Sequence, residues 1–342
     1  MSAKKQKGNA VVPTAGPAAS RRPRGGRRDG GEPAGEDAGA TRRSGVVAIV
    51  GRPNAGKSTL LNRILGQKVS IVSSKPQTTR NRIVGILNDP ERGQIAFLDT
   101  PGIHKPLHKL NVRMMDHVRS ALAEADVVAM IADATEAFGK GDQFVVDMLR
   151  SDTVGAHGVR PKVFAILNKI DLIKKQKLLP MMQNYASMGL FDEIVPVSAA
   201  TGDGVEALVG LFFANMQPGE PAYPIEDYTT QPERFFAAEL IREKLLEHTK
   251  EELPYTTAVA VDRWEESDEL IKIYATIVVE RDSQKPIVIG KQGAMAKRIG
   301  TEARQELEAT LGVKIFLDLH VAVHERWRED ERFLGELEWP LS

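Results

Sequence analysis

Cysteine is absent from this chain, which excludes disulfides, thiolate metal ligands and cysteine nucleophiles together. No apolar run approaches the ~20 residues that a membrane-spanning helix needs, because charged residues interrupt each one. Net charge is lacking too: 46 basic and 46 acidic residues cancel over 342 positions, so the whole-chain charge points to no partner. That zero averages unlike parts. Residues 1–44 hold 10 Lys/Arg against 4 Asp/Glu, and the rest of the chain carries the matching acidic surplus. The same 44 residues contain no Leu, Ile, Phe, Tyr or Trp, but eight glycines and the cluster Arg21, Arg22, Arg24, Arg27 and Arg28. They cannot bury enough apolar surface to offset the entropy of ordering, and they lack the apolar core of a secretory signal. A disordered basic extension is expected there; a targeting signal, an RNA-attracting arm and an idle tail are all open readings of it. The chain reads as a soluble, cytoplasmic protein of roughly two domains.

From Val46 onward the texture changes. Short apolar runs at 46–50, 95–98, 127–131, 163–167 and 194–197 alternate with helix-like segments at 57–65, 112–125 and 143–150. Strands alternating with helices predict an α/β fold with a mainly parallel sheet covered on both faces. The alternation stops near Gln217, and Pro218, Pro221 and Pro224 mark 218–228 as a linker. Thr230, with Glu233 three residues on and Pro232 between, signals a helix start leading into 235–248. Alternating stretches at 257–263 and 270–279, an apolar segment at 286–289, a helix-like 294–311 and a strand-like 314–323 complete a small α+β unit. The tail from Trp327 is mostly acidic and reads as a solvated closing segment, with Trp327 and Trp339 packed on the second unit. The expected organisation is a 1–44 extension, a 45–217 domain, a 218–228 linker and a 229–342 domain with its tail.

Gly51-Arg52-Pro53-Asn54-Ala55-Gly56-Lys57-Ser58 fits the phosphate-binding pattern G-x-x-x-x-G-K-[ST] and sits between a strand and a helix, as that pattern requires. Backbone N–H groups of Gly51 to Thr59 can converge on phosphates, Lys57 can reach the β- and γ-oxygens, and the Ser58 hydroxyl can ligate Mg²⁺. Asp99-Thr100-Pro101-Gly102 follows the run 95–98, placing Asp99 at a strand's carboxyl end, where it can hold Mg²⁺ through water. The Gly102 N–H can bond a γ-phosphate and release it after hydrolysis. Asn168-Lys169-Ile170-Asp171 ends another run, and an aspartate carboxylate accepts two hydrogen bonds that guanine offers and adenine does not. Ser198-Ala199-Ala200 suits a loop touching the guanine O6 edge. GTP and GDP are therefore the expected ligands, and an ATP-using kinase with the same loop would leave 168–171 unexplained.

Ile103 follows Gly102, and an isoleucine can neither donate to nor accept from an attacking water. Hydrolysis should be slow and should depend on other groups. His104 and His108 are four apart, but Pro106 between them disfavours a continuous helix, so a mobile loop is expected rather than a metal site. In the second unit, Gly290-Lys291-Gln292-Gly293 lies between the apolar segment 287–289 and a helix carrying Lys297 and Arg298. A basic G-x-x-G loop in that context is the mark of a KH domain, which clamps about four single-stranded nucleotides. Lys285, Lys291, Lys297 and Arg298 are candidates to neutralise phosphates.

With these motifs, and Gln77-Thr78-Thr79-Arg80-Asn81-Arg82, residues 45–342 resemble the translation-factor-like GTPases, most closely the bacterial Era family. The resemblance implies a P-loop GTPase domain followed by a KH domain, hydrolysis of GTP with Mg²⁺, and a chain acting as a monomer. It implies that Thr78 or Thr79 lies in the first switch and contributes to the metal; the sequence does not choose between them. Relatives with an apolar residue at the position of Ile103 and an asparagine at that of Asn54 often use K⁺ beside the phosphates. Asn54 is then a K⁺ ligand, or else only a turn-former, while Asn54, Lys57 and Gly102 make up the catalytic set. The resemblance further implies binding to the 3′ end of 16S rRNA and a role in assembling the small ribosomal subunit. A membrane-associated regulator of the cell cycle, touching anionic lipid of the inner membrane through the basic extension, is the alternative. No amphipathic stretch in the sequence accompanies that extension.

Overall fold

The structure is a computed structural model, and it describes residues 42–338 except Pro76, 104–106, 152–158, 250–252 and Asp268. The expectations for 1–41, His104 and Trp339 fall outside the described residues.

The first unit is a sheet in the order β2-β3-β1-β4-β5-β6, built from β1 (Arg43–Gly51), β2 (Ile83–Asp89), β3 (Gly93–Asp99), β4 (Val127–Asp133), β5 (Lys162–Asn168) and β6 (Glu193–Pro196). All neighbours in that order pair in parallel except β2, which runs antiparallel to β3. Side chains alternate between the faces, as strand geometry demands. Val47 and Ile49 join the layer with α1 (Lys57–Leu65) and α5 (Val205–Ala214), through Leu60, Leu61, Phe212 and Phe213. Ala48 and Val50 join the other layer, with α2 (Lys109–Glu124), α3 (Lys140–Ser151) and α4 (Lys175–Ser187), through Val118, Val145 and Tyr185. The loops that follow β1, β3, β5 and β6 leave the carboxyl ends of their strands, where ligands bind in such sheets.

Residues 217–229 are strapped to the first unit. Strand β7 (Gln217–Pro218) pairs with β1, Tyr223 N and O engage the Gln94 amide, and Tyr228 O accepts from Ile86 N. Thr229 Oγ1 donates to Val84 O, 2.7 Å away. Helix α6 (Glu233–His248) has Pro232 at its N-cap and no side-chain cap, so it starts after the Thr230 helix signal rather than being capped by it.

The second unit is a three-stranded sheet in the order β10-β9-β8, where β8 is Thr257–Glu266, β9 Leu270–Val279 and β10 Lys314–Val323. Strands β8 and β9 are antiparallel, and β10 runs parallel to β9. Helices α6, α8 (Lys285–Ile289) and α9 (Ala294–Leu311) cover one face, around Leu240, Ile277, Val288, Ile299 and Leu307. The apolar segment 286–289 is thus a short helix. A further helix, α7 (Leu253–Thr256), leads into β8. After β10 the tail folds into α10 (Glu331–Leu337), capped by the Asp330 carboxylate.

The tail is not the solvated segment expected from its acidity. Trp327 is fully buried in a cluster with Leu110 and Met114 of α2 and with Ala258 and Val278, so it packs against both units. Three of its acids pair with α2 and the residue before it: Glu329 with His108 at 2.9 Å, Glu331 with Lys109 at 2.8 Å and Glu338 with Arg113 at 2.8 Å. No helix among the described residues is long and apolar enough to cross a membrane.

Candidate nucleotide site and RNA-facing loop

Strand β1 ends at Gly51, residues 52–56 wrap back, and α1 begins at Lys57, so the loop's N–H groups gather at a helix start. Lys57 is buried there, with Nζ 3.0 Å from Arg52 O. Burial pushes its pKa down to about 8. Asp99, at the end of β3, is fully buried as well. Its Oδ2 accepts from Ser58 Oγ at 2.6 Å and Ser70 Oγ at 3.0 Å, while Oδ1 has no partner among the described residues. Burial pushes the Asp99 carboxyl up in pKa, and Lys57 opposes this only in part. Charges of both signs are therefore held where water cannot solvate them. A polyphosphate beside Lys57 and a divalent cation beside Asp99 would each supply the missing counter-charge. A carboxylate with an orphaned oxygen beside hydroxyls is also the hard-oxygen donor set that Mg²⁺ prefers.

The two threonines left open by the sequence point different ways. Thr79 Oγ1 lies 2.9 Å from Ser58 Oγ, whereas Thr78 Oγ1 turns back to Lys75 O at 2.6 Å. Thr79, Ser58 and Asp99 thus converge, and Thr78 stays outside that group. Asn54 sits at φ 63° and donates to Ser74 O at 2.9 Å. Together Asn54, Lys57, Ser58, Thr78, Thr79 and Gly102 line a cleft of about 50 Å³, so both threonines border it although only Thr79 meets Ser58. Ile103 is buried in the core beneath it, its N–H bonded to Gly51 O at 3.0 Å, so its side chain takes no part in the cleft.

Asn168 joins the two halves of the site. Its Nδ2 donates to Ala55 O and its Oδ1 accepts from Ala199 N, both at 2.9 Å. A Cβ at Gly56 would come within 2.2 Å of the Asn168 amide, so the bridge requires glycine there. Lys169 takes φ 67°, and its Nζ pairs with Asp133 at 2.5 Å. Asp171 follows in a single turn of 3₁₀ helix, exposed. Ser198 is buried, its Oγ accepting from Thr201 N at 3.1 Å. Arg63 of α1 binds the carbonyls of both Ala199 and Ala200. A shallow depression beside α1, lined by Thr59, Asn62, Arg63, Lys68, Val72, Ala199 and Ala200, adjoins the loop after β6.

Three supporting residues escaped the sequence reading: Ser70, Arg63 and Asp133. Only Asp133 carried a usable signal, a carboxylate at the end of an apolar strand.

In the second unit, Gly290 at φ 74°, Gln292 at φ 53° and Gly293 at φ 78° give the G-x-x-G loop its shape before α9 starts at Ala294. Lys291 and Lys297 are exposed and Lys285 is half-buried; none has an ion pair among the described residues. Arg298 differs, because it is held by Glu302 at 2.9 Å. Arg304 is likewise engaged by Glu308 at 2.9 Å. Of these five, the cations without an ion pair among the described residues are Lys285 at the start of α8, Lys291 in the loop and Lys297 in the first turn of α9.

Residues 46–169 match the family described as 50S ribosome-binding GTPase, and residues 252–328 match the KH domain family. The chain is 50% identical over 297 residues to the GTPase Era of Geobacter metallireducens, covering 86% of this chain and 97% of that one. It is 46% identical over 288 residues to the GTPase Era of Heliobacterium modesticaldum, covering 84% and 94%. Its fold is similar to a crystal structure of Era in complex with MgGDPNP and nucleotides 1506–1542 of 16S ribosomal RNA. The TM-score is 0.82 at 38% identity, over 88% of this chain and 100% of that one. A variant of Aquifex aeolicus Era bound to GDP·AlF₄⁻ gives the same TM-score and identity over 87% of this chain.

Proposed function

This chain belongs to the Era family of GTPases, and on that premise we propose that it is a cytoplasmic switch that binds the 3′ end of 16S rRNA and serves assembly of the small ribosomal subunit. One observation carries the reading: a GTP site with a metal-ready carboxylate and a KH loop with free lysines occur in one chain. Lys57 would hold the β- and γ-phosphates, whose negative charge would stabilise its ammonium. Ser58 and Thr79 would present hydroxyls, and Asp99 a carboxylate, to Mg²⁺, which when bound neutralises charge building on the phosphates. Gly102 N–H would sense the γ-phosphate, and Asp171 with Ala199 would read guanine. Lys285, Lys291 and Lys297 would meet RNA phosphates, with Gly290, Gln292 and Gly293 shaping the clamp; Arg298 would have to leave Glu302 to join them. Crosslinking in cells and sequencing of the attached RNA should recover the 3′ end of 16S rRNA. Recovery of other RNAs without that end would overturn the assignment.

Ile103 leaves the γ-phosphate without a side chain to orient water, which points to a monovalent cation as a partial substitute. Asn54 supports this, since among the described residues its amide nitrogen is engaged by Ser74 O and its oxygen is left to a cation. Replacing Na⁺ by K⁺ should raise turnover on the order of tenfold, well below the effect of an arginine finger. Asn54→Ala should flatten that response in a steady-state phosphate-release assay. Equal rates in the two salts would leave Asn54 as a turn residue only.

A further inference from the structure

The first switch is held from the second unit as well as by Asn54 and Ser58 of its own domain. Residues 72–80 are gripped from the second unit by groups that are themselves buried. Arg242 and Glu243, adjacent on α6, are each only 2% exposed. The Arg242 guanidinium donates to Thr78 O, and the Glu243 carboxylate accepts from Val72 N at 2.7 Å. One residue thus holds a carbonyl at the far end of the switch, and its neighbour holds an amide at the near end. Each is fixed in turn: Arg242 by Glu239 at 2.8 Å and Glu243 by Lys68 at 2.5 Å. Arg80, just past Thr79, reaches the other way, donating to Pro254 O at 2.9 Å and Thr257 O at 2.8 Å. It has no carboxylate partner among the described residues, and burial together with the nearby Arg242 pushes its pKa down to about 9. Buried charges with so few spare contacts fix geometry better than they add stability. The residue they flank is Thr79, the hydroxyl set against Ser58 and Asp99.

We propose that Arg242 and Glu243 are positioning residues for the metal: from the KH-side helix they hold the first switch so that Thr79 reaches Mg²⁺. The inference rests on Thr79 being the metal's threonine. A grip on the switch matters while the γ-phosphate and Mg²⁺ order it, and not once hydrolysis has released it. Loss of the grip therefore raises the Mg²⁺ concentration needed for hydrolysis without weakening GDP binding. A role in stability alone would shift melting and leave that separation unmade.

The test titrates Mg²⁺ against GTP turnover in the full chain, with GDP affinity and thermal melting measured alongside. Arg242→Ala should raise the half-saturating Mg²⁺ about tenfold, as expected for one charge-assisted hydrogen bond, with GDP affinity within about twofold of wild type. Arg242→Lys, which can still donate to Thr78 O, should recover most of the loss. Glu243→Ala carries the same expectation and stands in if Arg242→Ala does not fold. Thr79→Ala should raise the requirement at least as far. A folded Arg242→Ala with unchanged Mg²⁺ dependence, beside a Thr79→Ala that shifts it, overturns the grip and leaves the metal assignment standing. If Thr79→Ala changes nothing, the metal assignment falls and the inference with it.

Discussion

Asp171→Asn should turn a GTP site into a site for xanthosine triphosphate. A carboxylate accepts from guanine N1–H and the N2 amine, and an asparagine presents an N–H donor to one of them instead. Xanthine carries a carbonyl where guanine carries the amine, so the amide matches the wrong base and mismatches the right one. Sites built to hydrogen-bond a ligand reject its unmatched analogue by roughly 10⁴-fold, and a loss of that order in kcat/KM for GTP is expected. The geometry favours a clean outcome. Asp171 is exposed, and the turn that carries it is fixed by neighbours: Ile170 N bonds Val197 O, and Asn168 ties the segment to Ala55 and Ala199. None of those bonds uses the Asp171 side chain, and Asn is close to isosteric. Competition between the two triphosphates reads the switch directly. A mutant that keeps wild-type preference for GTP would remove Asp171 from base recognition.

The nucleotide half was legible because its chemistry is local. A glycine loop, an aspartate at a strand end and a four-residue base motif each announce themselves within a few positions, and Lys57–Leu65 is a helix over the range its pattern gave. Strand β2 was missed although 83–87 is apolar, because an antiparallel edge strand beside a switch loop breaks the strand–helix alternation. Helix α4 was missed for a different reason: it contains Pro180 and buries only Tyr185, so its period is faint. The junction between the units was least legible. Arg80 is marked in the sequence only as part of the motif 77–82 and Arg242 and Glu243 not at all, and nothing within either segment says that they meet. The acidic tail misled, since its partners on and just before α2 lie some 220 residues away in sequence. Composition suggests whether a charge can be solvated; only tertiary pairing decides whether it is.

Gly293→Asp should lower affinity for single-stranded 16S rRNA 3′ ends by at least about a hundredfold while leaving GTP binding and basal turnover unchanged. In a KH domain the G-x-x-G backbone lies directly against the RNA backbone, so any side chain there takes space the RNA needs. A carboxylate adds repulsion to the obstruction. It also offsets Lys291 and Lys297, the unpaired cations whose phosphate contacts should make wild-type binding fall steeply with salt. The structure indicates that the domain would tolerate the change. An ideal Cβ at Gly293 meets no heavy atom within 4 Å. Its φ of 78° is near the left-handed region that Asp visits more readily than most residues. The position immediately precedes α9, so the added negative charge suits the helix dipole, while the left-handed backbone sets a modest strain against it. Circular dichroism should therefore report a folded protein. Gly293→Ala separates the two causes: it adds bulk without charge, so its smaller loss of affinity should keep the wild-type salt slope, whereas Asp should flatten it. The clefts about the phosphate loop are lined by residues of the loops after β1, β3 and β6, of α1 and of the first switch, and none of their lining residues is among 290–293. A folded Gly293→Asp protein that binds the RNA end at wild-type affinity would sink the KH assignment and leave the GTPase half standing alone.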